Sequence, residues 1–213
     1  MYFIPEKKIA FPPVQLANSQ GLLGIGGDLS TDRLELAYKK GIFPWFAKED
    51  EILWWAPDPR MVLFPSEIKI SKSMRQLIRK NTYLVTEDQE FEEVIKQCAY
   101  TGKRGGNDSW LHDEMIEGYI ALYKKGLAHS VEVWNQQGQL VGGLYYVQVL
   151  PNIISGESMF HLESNTSKLA FIHLAQKAKK EKLDLIDCQF YTPHLASLGA
   201  REIPREVYMD YLK

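Results

Sequence analysis

Apolar positions recur along this chain with two spacings that predict different secondary structures. A spacing of three or four residues predicts amphipathic helices, and it covers residues 28–41, 71–80, 88–100, 111–126 and 164–182. Shorter apolar runs bounded by turn residues predict strands at residues 83–86, 128–135, 140–150, 152–160 and 183–189. A turn at residues 136–139 joins two of these strands into a hairpin.

The order of these elements divides the chain into two parts. Residues 1–62 are rich in Gly, Pro and Trp and contain a single clear helix, whereas the elements follow one another regularly from residue 63 onward. Helices, a hairpin and then a strand–helix–strand unit are typical of an α+β domain with a mixed sheet. We therefore predict a small loop-rich N-terminal domain, residues 1–62, and an α+β domain, residues 63–213.

Composition and charge restrict the class of protein. The 213 residues are 45% hydrophobic and 24% charged, as in a soluble globular protein. The net charge of −2 provides no overall basic field, so a polyanionic partner requires a local patch. Cys98 and Cys188 are far apart in apolar segments and indicate buried thiols. With no apolar core for a signal peptide and no run of about 18 apolar residues, we expect a cytoplasmic protein without membrane contact.

Several common kinds of catalytic site are not indicated. The stretch "GLLGIGGDLS" lacks the Gly-Lys-Ser/Thr ending of a phosphate-binding loop, so its glycines indicate turns. The five histidines have no metal-ligand spacing, and no CxxC occurs. No GxSxG motif is present. We expect no metal ion and no covalent nucleophile.

Polar residues within apolar strands are the first candidate site. Asp187 and Gln189 are two apart, and on a strand they face the same side. Glu157 similarly lies in the apolar run "SGESMF", where a buried carboxylate requires a partner. The residues alone leave open whether these groups form a structural network or bind a ligand.

A row of basic residues is the second candidate, here called the basic row: Lys72, Arg75, Arg79 and Lys80. On a helix they cover one broad face, which is either solvated or in contact with nucleic-acid phosphates. Four tryptophans in or near loops leave a similar choice between core packing and stacking on bases. These are Trp45, Trp54, Trp55 and Trp110.

Longer motifs, in this order along the chain, resemble those of the bacterial leucyl/phenylalanyl-tRNA protein transferases. The motifs are "GLLGIGGDLS", "AYKKGIFPWF", "LWWAPDPR", "AHSVEVW", "VGGLYYV", "SGESMF", "IDCQ" and "HLASLGAREIPR". The resemblance implies transfer of Leu or Phe, and less readily Met, from aminoacyl-tRNA to acceptor proteins with N-terminal Lys or Arg. The resemblance further implies that the product is marked for N-degron proteolysis. It also implies an acetyltransferase-like (GNAT) second domain and no metal or redox cofactor. We expect a monomer.

The resemblance also assigns roles to individual residues. Asp187 and Gln189 are implied to be catalytic, with Asp187 polarising Gln189; the rival view gives them positioning roles in a substrate-assisted transfer. The implied aminoacyl-adenosine contacts are Trp45, Trp110, Glu157 and Ser158. The implied side-chain pocket is lined by Leu144, Ile154, Phe171, Ala178 and Ile186. The basic row is implied to contact the tRNA body.

Two other functions remain as alternatives. A tRNA-binding or peptide-binding module could keep the fold without the chemistry. An acyl-CoA acetyltransferase is suggested by fold analogy alone, and it would require a Gly/Arg-rich pyrophosphate loop before the helix at residues 164–182. The sequence before that helix is "FHLES".

Overall fold

The computed structural model describes residues 2–101 and 111–213, which fold into two β-sheets with helices packed on them. The strands are β1 (Tyr2–Ile4), β2 (Leu22–Gly26), β3 (Phe43–Pro44), β4 (Leu53–Trp55), β5 (Arg60–Leu63), β6 (Leu84–Glu87), β7 (Ala128–Trp134), β8 (Leu140–Leu150), β9 (Ile153–His161), β10 (Leu185–Gln189) and β11 (Arg201–Ile203). The α-helices are α1 (Thr31–Lys39), α2 (Lys72–Lys80), α3 (Phe91–Thr101), α4 (Asp113–Lys124), α5 (Thr166–Lys180), α6 (Pro193–Ser197) and α7 (Arg205–Asp210).

The two sheets differ in size and pairing. The small sheet has the order β1-β2-β4-β3, and the large sheet has the order β11-β5-β10-β9-β8-β7-β6. In the large sheet β9 and β10 are parallel, and the other neighbours are antiparallel. The predicted α+β class with a mixed sheet is confirmed. The predicted hairpin is β7–β8, and the predicted strand–helix–strand unit is β9–α5–β10.

Apolar side chains join the two sheets into continuous packing. Leu34 of α1 and Trp54 of β4 belong to the same buried cluster as Leu122 of α4 and Tyr145 of β8. A second buried cluster packs α5 on the opposite face of the large sheet. The small sheet uses residues 2–55 and the large sheet residues 60–203, while the domain division at residue 62 stays a prediction.

The two parallel strands separate beyond a short paired region. Ile153–Ser155 of β9 pairs with Leu185–Asp187 of β10. Beyond that point β9 has an irregularity at Glu157, and β10 has one between Asp187 and Gln189. A bulge bends a strand and re-aims its side chains. The two irregularities therefore place Glu157 and Gln189 at the point where the strands part.

The helices of the described ranges are modest in length, and α5 is the longest of them with 15 residues. None of the helices within residues 2–101 and 111–213 combines the length and the apolar character that crossing a membrane requires.

We predict that the turn after α6 tolerates no side chain at Gly199. Its backbone has φ of +104°, and an added Cβ would clash with the Glu67 carbonyl oxygen. Gly138 also has positive φ, +73°, but faces open space. Gly138→Ala should lower the free energy of unfolding by about 1–2 kcal/mol, the ordinary cost of a left-handed backbone. Gly199→Ala should lower it clearly more. Urea denaturation of both variants measures the difference; equal losses of stability would contradict the clash.

Candidate active site

A cavity of about 670 Å³ opens where β9 and β10 separate. The small sheet contributes one wall through β3 and β4, and α5 and the start of α6 contribute another. The lining is mostly apolar and comprises Gln20, Phe43, Pro44, Trp45, Trp55, Leu144, Tyr145, Gly156, Glu157, Ser158, Met159, Phe171, Leu174, Cys188, Gln189, Phe190, Thr192 and Leu195. An apolar cavity with a few convergent polar groups is the usual form of a small-molecule site.

A buried ion pair lies directly behind the bend of β10. Arg60 donates through Nε to Asp187 Oδ1 at 2.7 Å and through Nη2 to Asp187 Oδ2 at 2.6 Å. The side chains are 2% and 1% exposed. The Tyr208 hydroxyl donates to Oδ2 at 3.0 Å, and the backbone N–H of Gln189 donates to Oδ1 at 3.0 Å. Each carboxylate oxygen thus accepts two hydrogen bonds.

Arg60 is held by more than its charge partner. Its Nη1 donates to the Gly41 carbonyl oxygen at 3.0 Å. Its guanidinium carbon lies 4.8 Å from the centre of the Phe43 ring and 4.6 Å from that of Tyr208, a cation–π arrangement. Burial by itself lowers the pKa of Arg60, but the Asp187 carboxylate outweighs burial and raises that pKa above its ordinary value. Arg60 is therefore a permanent cation.

The Asp187 and Gln189 side chains were predicted to face the same side, but they contact each other only through the backbone N–H of Gln189. Gln189 has φ of +57°, a left-handed conformation that is uncommon for a residue other than glycine. The Asp187 carboxylate accepts the N–H of this residue, so it fixes the bend. The Gln189 side chain extends to Glu157 instead, and its Nε2 donates to Glu157 Oε1 at 3.2 Å.

Glu157 is the centre of a second hydrogen-bond network. Its Oε2 accepts from the Tyr119 hydroxyl at 3.0 Å, and that hydroxyl lies 2.8 Å from the hydroxyl of Tyr38. Burial raises the pKa of Glu157 to about 8, although the hydrogen bonds from the two tyrosines oppose the shift. The pKa values of both tyrosines are raised in turn, first by burial and then by the Glu157 charge.

Aromatic rings form the rim of the cavity. Trp45 is 42% exposed, and its ring centre lies 5.6 Å from that of Trp55 and 5.4 Å from that of Phe190. Trp55 Nε1 donates to the Trp45 carbonyl oxygen at 2.6 Å, which fixes the rim. Trp54 is instead fully buried in the core. The prediction for Trp110 falls outside the described residues.

The structure divides the predicted side-chain pocket into two groups. Leu144 and Phe171 line the cavity, whereas three residues lie fully buried in the core that packs α5 on the large sheet. These three are Ile154, Ala178 and Ile186. The apolar wall is completed by residues that the sequence did not indicate, namely Met159, Leu174 and Leu195. Ser158, predicted beside Glu157, also lines the cavity.

The two cysteines are free and buried, as predicted. Burial raises the pKa of both thiols, which keeps them protonated and weakly reactive. Cys188 lines the cavity on the α5 side. Within the described part of the chain, no group of three or more His, Cys, Asp or Glu side chains is arranged to hold a metal ion.

The basic row lies on α2, and its four side chains are exposed. Ser71 caps this helix by accepting the N–H of Met74 at 3.2 Å, and Met74 is the buried residue of the helix. Ile78 of the same helix is 37% exposed. Arg75 also donates through Nε to the Ile70 carbonyl oxygen at 2.9 Å, so part of its guanidinium is already engaged.

Arg60, Tyr208, Tyr38 and Tyr119 are site residues that sequence analysis missed. One signal existed for the first of them. Arg60 opens the apolar strand "RMVL", as Asp187 interrupts the apolar strand "LIDCQ". Two opposite charges, each alone in an apolar strand, are candidates for a buried pair.

Comparison with known proteins supplies matches over almost the whole chain. Residues 62–213 match the family model for leucyl/phenylalanyl-tRNA protein transferase, and residues 27–58 match the model for the N-terminal domain of that family. A leucyl/phenylalanyl-tRNA protein transferase of Flavobacterium johnsoniae is 54% identical over 213 residues, which are 100% of this chain and 99% of that protein. A leucyl/phenylalanyl-tRNA protein transferase of Christiangramia forsetii is 50% identical over 214 residues, and the match covers 100% of this chain and 100% of that protein.

Among solved structures, a GCN5-related N-acetyltransferase from Kribbella flavida is similar over 78% of this chain and 58% of that chain. Its sequence identity is 11% and its TM-score 0.42, a value too low to support an inference.

We predict that Arg60 is essential for stability. Arg60→Met leaves the buried Asp187 carboxylate without its cation, which should cost about 3–5 kcal/mol of unfolding free energy. Lys39→Met is the control, because Lys39 forms an exposed pair with Glu35 that should contribute at most about 0.5 kcal/mol. Chemical denaturation compares the two variants. The interpretation fails if Arg60→Met is as stable as Lys39→Met.

Proposed function

Because the chain belongs to the leucyl/phenylalanyl-tRNA protein transferase family, we propose that it transfers Leu or Phe, and less readily Met, from aminoacyl-tRNA to the N-terminus of proteins that begin with Lys or Arg. It is an aminoacyltransferase that acts on proteins. The product would be marked for proteolysis by the N-degron route. The observation that carries this proposal is the apolar cavity with Glu157 and Gln189 at the bend of the parted strands.

The apolar wall suits the side chain of the transferred amino acid. Leu144, Met159, Phe171 and Leu174 present only apolar or thioether groups to the cavity. The cavity volume of about 670 Å³ lies within the range of about 300–1,000 Å³ that small ligands occupy. Since one methylene in such a pocket changes binding by only about 1–3 kcal/mol, one site accepts both Leu and Phe.

The aromatic rim suits the terminal adenosine of the tRNA. Trp45 is exposed on one side and is supported by Trp55 and Phe190 on the other. A base stacks on such a ring with about 1–3 kcal/mol of binding free energy. In this proposal the aminoacyl ester then lies between the rim and the polar pair Glu157 and Gln189, with Ser158 beside them.

Asp187 and Gln189, the acid–amide pair of β10, have different roles in the proposed reaction. The acceptor amine attacks the ester carbonyl, and the ester bond to the ribose oxygen breaks; the ester is already activated, so ATP is not required. Gln189 presents its side-chain amide to the cavity, where it contacts the reacting groups. Asp187 is buried, and both of its carboxylate oxygens accept hydrogen bonds from Arg60. It therefore acts on the reaction through the conformation of Gln189. This arrangement favours the positioning view.

Transfer of a labelled amino acid tests the proposal. Purified protein with labelled Leu-, Phe- and Met-tRNA should label an acceptor that begins with Arg, and Met should transfer least. The same acceptor beginning with Ala is the matched control and should stay unlabelled. Binding of aminoacyl-tRNA without transfer would favour the binding-module alternative, and a thermal shift with acetyl-CoA alone would favour the acetyltransferase alternative.

Variants of Asp187 and Gln189 test the roles of these two residues in the same transfer assay. Gln189→Ala and Asp187→Ala should lower turnover by about 100-fold or more, because positioning of reacting groups contributes several kcal/mol. The Kd for aminoacyl-tRNA should change far less. Unchanged turnover in either variant would show that the substituted residue is not required for transfer.

We predict that the basic row contacts tRNA phosphates. The double variant Lys72→Glu, Arg79→Glu should weaken tRNA binding and lower the slope of log Kd against log salt by about two, or about one per lost phosphate contact. Lys39→Glu, Lys40→Glu is the charge-matched control, because these exposed lysines are the last residue of α1 and the residue directly after it. Equal effects of the two double variants would indicate a general charge effect and would contradict the contact.

A further inference from the structure

Two carboxylates lie at the bend of the parted strands, and their surroundings are opposite in kind. Asp187 accepts four hydrogen bonds, from Arg60 twice, from Tyr208 and from the backbone of Gln189. All four distances lie between 2.6 and 3.0 Å. A carboxylate with both oxygens occupied by a buried guanidinium has no free lone pair directed at a substrate.

Glu157 differs in each of these respects. It lines the cavity. Its Oε1 accepts from Gln189 Nε2 at 3.2 Å, its Oε2 accepts from the Tyr119 hydroxyl at 3.0 Å, and Tyr38 also bonds to this carboxyl group. A carboxylate oxygen can accept more than one hydrogen bond, so Glu157 keeps acceptor capacity on the side of the cavity. The Gln189 and Tyr119 donors fix the orientation of the carboxyl group.

From this geometry we infer that Glu157 is the proton-transferring carboxylate of the site, and that Arg60 and Tyr208 restrict Asp187 to positioning Gln189. The inference rests on the proposed function, since it concerns the proton released when an acceptor amine attacks an aminoacyl ester. Glu157 is then a catalytic residue, and Arg60 and Tyr208 are positioning residues.

The step balances within the site. A bond forms between the acceptor nitrogen and the ester carbonyl carbon, and the attacking nitrogen gives one proton to the Glu157 carboxylate. The bond between that carbon and the ribose oxygen then breaks, and the ribose oxygen receives the proton from Glu157. The products are an amide and a free ribose hydroxyl, and Glu157 returns to its starting form without a further reactant.

The groups that face Glu157 support this role. Tyr38 of α1 and Tyr119 of α4 are hydrogen-bonded neighbours of Glu157, and the charges of Asp187 and Arg60 also act on it. Burial raises the pKa of Glu157 to about 8; the tyrosines and Arg60 lower it, and Asp187 raises it. A free α-amino group has a pKa of about 7.7–8.0, so proton exchange between the two groups is nearly balanced in free energy. The carboxylate form increases as the pH rises through about 8.

Single-turnover transfer as a function of pH tests the inference. With saturating Phe-tRNA and an Arg-starting acceptor, the wild-type rate should rise between about pH 6 and about pH 9. Glu157→Gln should lower the rate by about 100-fold or more. The part of the pH-dependent rise that comes from ionisation of Glu157 should be absent, and only the part from the acceptor amine should remain. Tyr208→Phe should lower the rate with the pH profile of the wild type. The acceptor's own titration is common to all variants, so differences between profiles report the protein.

Matched controls complete the experiment. Glu132 is a fully buried glutamate of β7, and Glu132→Gln should keep the wild-type profile. Glu157→Asp should keep a pH-dependent rate at a reduced level, and it serves if Glu157→Gln does not fold. A rate in Glu157→Gln equal to the wild type, or a flat profile in Glu157→Asp, would overturn the inference.

Infrared spectroscopy gives a readout that does not depend on activity. The carbonyl stretching band of a protonated carboxylic acid should disappear in the wild type as the pH rises through about 8, and it should be absent in Glu157→Gln. Lack of any such titrating band would overturn the inference. If the wild type transfers no amino acid at any pH, the proposed function fails instead, and the infrared titration still decides the state of Glu157.

Discussion

The buried ion pair between Arg60 and Asp187 is the interaction on which the rest of the site depends. It joins the start of β5 to the middle of β10, and its further hydrogen bonds bring in Gly41 after α1 and Tyr208 of α7. Removing two charges from water is costly, and their attraction offsets that cost only when the remaining donors and acceptors are satisfied. In this protein they are satisfied by segments from both ends of the chain.

The pair also explains why one strand end is bent and the cavity exists. By accepting the N–H of Gln189, the Asp187 carboxylate stabilises a left-handed residue where the strand would otherwise continue. The bend separates β10 from β9, and the space between them becomes the cavity. The same bend directs the Gln189 amide to Glu157. One carboxylate thus shapes the site and the other lines the cavity, a division that follows from their surroundings.

Sequence patterns predicted the local part of this structure and missed the long-range part. Helix and hairpin periodicity depends on neighbouring residues, so α5 and the β7–β8 hairpin lie where the pattern indicated. The alternation predicted that the Asp187 and Gln189 side chains face one side, but the bulge between them, which has no sequence period, directs one to Arg60 and the other to Glu157. Arg60 was missed because its partner is 127 positions away. Ile186 was expected in the pocket wall, yet the strand's alternation buries it against α5.

The structure of the protein bound to a nonhydrolysable aminoacyl-adenosine analogue tests the central claim most directly. We predict that the analogue's amide group, in place of the ester, lies within hydrogen-bond distance of Glu157 and Gln189. Its side chain should lie against Leu144, and Asp187 should keep its hydrogen bonds to Arg60. An Asp187 carboxylate released from Arg60 and bonded to the analogue, with Glu157 directed away from it, would contradict the account.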